Sequence, residues 1–186
     1  MPPPWQAFWY LRHGETDWNA RDLSQGNVDI PLNPAGVAQA ERAAVLLRDR
    51  GLRSIVSSPL SRARVTAEIV AAPLGLPVAF DDGLREVAFG VQEGQPMGDW
   101  YDDWIAGRFT PEGAETFAAL RVRARAVITR ALAHPDPVLV VAHGALFRAV
   151  RAEMGLVPNL RTPNAVPFLC RPGADPAEAW TLTAAA

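Results

Sequence analysis

Lysine is missing altogether: the 18 basic residues are all arginine. Any mechanism that needs a side-chain primary amine is therefore excluded, including a lysine Schiff base, a lysine general base and a Walker-type phosphate loop. Cysteine is nearly missing too. The single Cys170 rules out an internal disulfide and leaves a cytoplasmic location as the expectation; beside Phe168 and Leu169 it suits a buried apolar role better than a nucleophilic one. No apolar run approaches the ~20 residues of a membrane-spanning helix. The start Met1-Pro2-Pro3-Pro4-Trp5 lacks the basic flank and apolar centre of a signal peptide. An excess of positive charge is also lacking: a net charge of −2 and a pI near 5.9 give no electrostatic reason to expect nucleic acid or a membrane surface as a partner.

What is there suffices for one core. With 186 residues, 49% of them hydrophobic and 20% charged, the chain is long enough for one well-buried domain, spanning 1–186, and too short for two. Trp5 to Leu11 reads as a first strand, and Arg12 to Pro31 as a polar loop of the length that usually carries function. Asn33-Pro34 supplies a helix N-cap with proline at the first helical position, and Val37, Ala40, Ala44 and Leu47 recur at helical spacing until Gly51. Ser54 to Ser57 is a second strand. Pro59 opens a helix with Ala63, Ala67 and Val70 on its apolar face, and Pro77 to Phe80 suggests a third strand. Met97 to Arg108 reads as a short aromatic and acidic helix. Phe117, Leu120, Ala124, Val127 and Ala131 mark a long one ending near His134-Pro135, with His134 in its last turn and Arg121, Arg123, Arg125 and Arg130 on a solvated surface. Val138 to Ala142 is a further strand, a helix follows to Met154, and two more strands fall near 165–169 and 179–183. This alternation predicts an α/β fold, a three-layer αβα sandwich with a parallel-dominated central sheet.

Two of the strands end alike. Phe8-Trp9-Tyr10-Leu11 stops at Arg12-His13-Gly14, and Val138 to Ala142 stops at His143-Gly144, so two of the three histidines share one context. Parallel strands of one sheet would bring both to the carboxyl edge, where open α/β sheets put their chemistry. Arg62, in the first turn after the second strand, and Glu86, after the turn Asp81-Asp82-Gly83, belong to the same edge. Arginines present planar forks of donors suited to phosphate oxygens. Neutral imidazole can attack phosphorus to form a phosphohistidine, and Arg12, Arg62 and His143 could stabilise the charge spread over the equatorial oxygens. Glu86 could protonate the leaving oxygen if desolvation and neighbouring negative charge keep its proton in place, and then serve as base toward water. Taken singly, each residue has a structural explanation as an ion-pair partner, a cap or a core histidine. A metallohydrolase is a second reading, but the histidines lack the i, i+4 spacing of a helical zinc motif and arginine beside each would oppose a cation. A non-catalytic interaction module is a third, and every position needed for chemistry is filled.

The blocks that carry these residues resemble a known family. Leu11-Arg12-His13-Gly14-Glu15-Thr16 with Trp18-Asn19 is similar to the opening signature of the histidine phosphatase superfamily, the phosphoglycerate mutase-like proteins. Ser24-Gln25-Gly26, Ser57-Ser58-Pro59-Leu60-Ser61-Arg62, Glu86 with Phe89-Gly90 and Glu93-Gly94, Pro111 to Thr116, and Ala142-His143-Gly144 resemble its later blocks in order. The resemblance implies that His13 is the phosphorylated nucleophile, that Arg12, Arg62 and His143 cradle the phosphoryl group, and that Glu86 is the general acid and base. Asn19, Gln25, Gly26 and Gly144 would line the substrate pocket. No metal and no cofactor is implied. One branch of the family has an acidic residue immediately after its second histidine; Gly144-Ala145 stands here instead, which moves the proton-donor role to Glu86.

Within that family the chain resembles the small bacterial phosphatases more than the true mutases. Such mutases carry a basic insertion after the acid and an Asn after the second His-Gly, whereas this chain is short there and has Ala145. Phosphatase is therefore the expected activity, on a small phosphomonoester, with cofactor-dependent phosphoglycerate mutase as the alternative. A lid over about 87–112 is expected near the pocket. Within it, Trp100, Tyr101 and Trp104 either face the substrate or pack the lid down, and Asp99, Asp102 and Asp103 should repel a second anionic group on the substrate. The oligomeric state is not written in the sequence.

Overall fold

Strands β1 (Phe8–Arg12) and β4 (Val138–Ala142) lie side by side at the centre of the molecule, and of their ten residues only Arg12 is not buried. Both faces of the sheet are covered, which is why these segments read as continuous apolar runs rather than alternating ones. With β2 (Ser54–Ser57), β3 (Val78–Phe80), β5 (Pro167–Arg171) and β6 (Thr181–Ala184) they form one sheet in the order β3-β2-β4-β1-β5-β6. The computed structural model describes residues 5–175 and 178–186, so the N-terminal reading of Met1 to Pro4 lies outside the described residues.

Phe8 and Tyr10 of β1, with Val138, Val140 and Ala142 of β4, pack under α5 (Phe117–Ala131) and α6 (Gly144–Glu153). Trp9, Leu11, Leu139 and Val141 pack on the other face under α2 (Pro34–Leu47) and α3 (Ser61–Ala71). The two layers follow from the strand period of two. Asn33 caps α2 through its side chain, which accepts from Gly36 N at 2.8 Å, and Pro34 occupies the first helical position as expected. Cys170 is buried and free.

Several boundaries differ from the sequence reading. β1 begins at Phe8 rather than Trp5, whose indole instead donates to Thr129 Oγ1. The polar loop contains a short helix, α1 (Asp17–Ala20), closed by a capping box between Thr16 and Asn19. α3 starts at Ser61, two residues past Pro59, because Asp29 accepts from both the Ser61 backbone and hydroxyl there. The aromatic helix α4 is confined to Trp100–Ile105. α5 stops at Ala131, which puts His134 beyond the last turn. Arg123 is not on a solvated surface: it pairs with Glu115 and donates to the carbonyls of Gly83 and Arg85. Four strands are parallel, while β5 pairs antiparallel with β1 and β6 antiparallel with β5.

Candidate active site

Register decides the site. Arg12 of β1 stands opposite Ala142 of β4, so His13 and His143 leave adjacent parallel strands at the same level, with ring centroids 5.2 Å apart. His13 N donates to Ala142 O at 3.0 Å, and Ser58 N, at the end of β2, donates to Val141 O at 3.0 Å. Three neighbouring strand ends thus converge. A cavity of about 170 Å3 opens over them, lined by Arg12, His13, Asn19, Gln25, Gly26, Arg62, Glu86 and Gly144 among others.

His13 is held by its own loop. Its Nδ1 lies 2.7 Å from Gly14 O, which can only accept, so Nδ1 carries the hydrogen and Nε2 keeps the lone pair. The ring is 2% exposed. Burial, then Arg62 and Arg12, hold its pKa well below the ordinary imidazole value, so the ring is neutral at pH 7. Gly14 N in turn donates to Thr66 Oγ1 (3.0 Å), whose hydroxyl donates to Arg62 O (2.7 Å), coupling the first strand end to α3.

The arginines are clamped and leave donors over. Arg62 Nη1 and Nη2 donate to Val28 O and Gly26 O, and Arg12 Nη1 donates to Thr162 O. Arg12 Nε and Arg62 Nε are buried with no partner among the described residues, and so is His143 Nδ1. A buried donor without a partner costs about 1–3 kcal/mol. Burial lowers both guanidinium pKa values to about 10, which leaves them cationic at neutral pH. His143 lies beneath the floor, fully buried, with Nε2 2.8 Å from Ser58 Oγ. Ser58 Oγ also accepts from Leu60 N, and donation of its own hydrogen to Nε2 would put the ring hydrogen on Nδ1. Burial first, then Arg62, keeps this imidazole neutral as well. Tyr10 holds the backbone of His143, its hydroxyl donating to His143 O at 2.9 Å while its ring stacks on Phe147.

Glu86 is surrounded differently from the sequence expectation. Three backbone N–H groups donate to it, Val87 and Leu146 to Oε1 and Ala145 to Oε2. Its carboxyl therefore sits on the N-terminus of α6, immediately after His143-Gly144. Asn19 and Gln25 reach the cavity from α1 and the following loop, tied together through Thr16, whose hydroxyl donates to Gln25 Oε1. Asn164, not among the expected site residues, donates to His13 O and to Asn19 Oδ1.

The lid also differs. Met97 and Tyr101 line the cavity, but Trp104 is wholly buried against Phe89 and Phe117, its indole N–H on Glu115 O. Trp104 thus packs the lid down. The three aspartates do not line the cavity: Asp102 accepts from Asn159 and Asp103 pairs with Arg108. Because α4 buries Tyr101 and Trp104 on one face, its carboxylates are turned outward. What lines this side instead is Arg148 and Arg161. Arg148 had a signal in sequence, four residues after Gly144 on a helix and hence on the same face; Arg161 and Thr162, in a loop, had none.

Strand ends with two neutral imidazoles, the buried Arg62 and the half-buried Arg12 make an arrangement suited to an anion. Residues 8–164 match the histidine phosphatase superfamily (branch 1), and the chain belongs to that family. It is 38% identical over 162 residues, 84% of this chain and 81% of the other, to the uncharacterized phosphatase PhoE of Bacillus subtilis (strain 168). It is also 38% identical over 162 residues, 80% and 75% of the two chains, to the probable phosphoglycerate mutase GpmB of Yersinia enterocolitica. Among solved structures, the mycobacterial glucosyl-3-phosphoglycerate phosphatase complexed with VO3 is similar at a TM-score of 0.79 and 30% identity, covering 97% of this chain and 98% of that one.

Proposed function

We propose that the protein hydrolyses a small phosphomonoester in two in-line steps through a phosphohistidine on His13. The observation that carries this reading is the set of dry, unpartnered donors, Arg12 Nε, Arg62 Nε and His143 Nδ1, gathered about a neutral His13 whose Nε2 holds a lone pair. Three donors kept from water need an anion, and a phosphoryl group offers three equatorial oxygens. In the first step the His13 Nε2–P bond forms as the bond from phosphorus to the leaving oxygen breaks, and Glu86 gives that oxygen a proton. In the second step Glu86 takes a proton from water as the water oxygen attacks phosphorus and the P–N bond breaks. Asn19, Gln25, Gly26 and the Gly144 backbone bound the space for the ester.

The relatives support phosphatase chemistry, as does the vanadium oxyanion bound by the mycobacterial enzyme. A metallohydrolase lacks its donors: among the described residues no group of three or more His, Cys, Asp or Glu side chains could hold a metal ion. The mutase reading draws on the relatives named GpmB. A mutase must keep water from its phosphoenzyme, and here the rim residues Asp22 and Arg161 are exposed, which favours hydrolysis. No helix is long and apolar enough to cross a membrane among the described residues.

The test is His13→Ala against wild type, assayed for turnover of 4-nitrophenyl phosphate and glycerol 3-phosphate and for acid-labile phosphate on the protein. Both signals should vanish together. Full activity in the variant would sink the mechanism, and transfer between the 2 and 3 positions of phosphoglycerate by wild type would promote the mutase.

A further inference from the structure

The Asn19 amide on the cavity wall can show the cavity either an oxygen or an N–H2 group, and only the second suits an anion. Its orientation is settled by backbone groups that have no choice of role. Asn164 Nδ2 lies 3.0 Å from His13 O, a carbonyl that can only accept, so the nitrogen of the Asn164 amide is on that side. The same nitrogen is 3.2 Å from Asn19 Oδ1, and Thr16 N, which can only donate, is 3.2 Å from that oxygen too. Asn19 Oδ1 therefore faces two donors of the protein. Its Nδ2 has no hydrogen-bond partner among the described residues and is left for the cavity. Gln25 depends on Thr16 instead, whose hydroxyl donates to Gln25 Oε1 at 2.7 Å.

Asn164 owes its place to the turn before β5. Ala165 N donates to Arg12 O at 2.9 Å, and Ala165 is buried among the side chains under α2 and α3. Its φ is +49°, a left-handed conformation that an alanine adopts rarely. Strain of this kind persists only where the surroundings impose it, and it gathers beside functional sites. The turn thus fixes the Asn164 amide against the end of β1, with one hydrogen on the backbone of His13 and the other on the side chain of Asn19. Asn164 itself does not line the cavity.

We infer that Asn164 is a positioning residue for phosphoryl transfer, acting through Asn19 by turning that side chain's N–H2 group toward an oxygen of the phosphoryl group. This rests on the phosphohistidine reading and adds to it a residue that touches neither the substrate nor the His13 ring. Turned the other way, Asn19 would set its oxygen against the anion and repel what it otherwise binds. A donor already aimed at the place where charge gathers needs no reorganisation during the reaction.

A double-mutant cycle on the full chain separates this role from a structural one. The kcat/KM for 4-nitrophenyl phosphate and the inhibition constant of orthovanadate are measured for wild type, Asn19→Ala, Asn164→Ala and the double variant. Asn19→Ala should lower kcat/KM by about tenfold to a hundredfold, the worth of one hydrogen bond to a charged group, and should weaken orthovanadate in step. Asn164→Ala should cost about three- to tenfold in the wild-type background, the worth of one neutral hydrogen bond, and nothing further in the Asn19→Ala background. A residue that only supports the fold would cost the same in both backgrounds, so equal losses overturn the inference. Wild-type activity in Asn164→Ala overturns it too. If the alanine variant folds poorly, isotope-labelled wild type decides by itself: on addition of orthovanadate the side-chain N–H2 signals of Asn19 should move, and more than those of Asn164. Asn19 signals that stay in place overturn the assignment. Failure of the phosphohistidine reading is separate, since His13→Ala would then keep its turnover.

Discussion

In the proposed mechanism Glu86 has two duties that a single substitution disturbs together. Its carboxylate terminates α6 by accepting from Ala145 and Leu146, and it lies where a leaving oxygen would need a proton. Glu86→Gln keeps the shape but turns an amide N–H2 toward one of the three backbone donors, so some structural loss is expected in any assay. The two duties separate by leaving group. A general acid contributes about 10²- to 10⁴-fold, and that loss should appear with alkyl esters and nearly disappear with 4-nitrophenyl phosphate, whose phenolate leaves unaided. Equal losses for the two ester types would make Glu86 a helix cap and nothing more.

The sheet edge under the cavity is built where elements meet without side chains between them. A Cβ on Gly14 would run into the carbonyl of Gly36, and one on Gly36 into the carbonyl of Glu15, so the loop after β1 and the first turn of α2 touch backbone to backbone. Asn33 N donates to Glu15 O and Gln39 accepts from Glu15 N, closing the same joint. Gly36→Ala should cost about 1–3 kcal/mol, the usual size of overpacking in a filled interior, read as a lower urea midpoint. It should also lower kcat, since His13 Nδ1 is positioned by the carbonyl of Gly14 in that joint. An unchanged midpoint would show that the joint yields freely. On the opposite face α5 plays the matching part: Arg123 grips Gly83 and Arg85 and so sets the segment that presents Glu86.

For the whole molecule, two buried neutral imidazoles make stability depend on pH. His13 and His143 both have native pKa values lowered from an ordinary value of about 6.5. Below about 6.5 the unfolded chain binds protons that the native rings refuse, so stability is fully present above that pH and falls as the pH falls toward the lowered native values. The urea midpoint should therefore drop between pH 7.5 and pH 5.5. A His13→Asn, His143→Asn variant, whatever its starting stability, should drop less. Equal slopes for the two proteins would overturn the claim.

The sequence by itself determined what depends on near neighbours along the chain. Apolar runs marked the central strands, Asn33-Pro34 marked the start of α2, and two strand ends at His-Gly marked the proposed nucleophile and its companion. Arg12, Arg62 and Glu86 were legible because each follows a recognisable element. Tertiary structure alone decided the rest. That β1 and β4 are adjacent and in register, bringing His13 and His143 within 5.2 Å, is a pairing between distant segments. The antiparallel sense of β5 and β6 left no trace in composition, since direction is set by the route of the chain and not by the strand's own residues. The same holds for the carboxylates of α4. Their spacing says only that they share a helix with Tyr101 and Trp104, and burial of those rings against Phe89 and Phe117 turns the aspartates outward. A side chain's chemistry is local, but the face it presents is chosen by what the rest of the molecule buries.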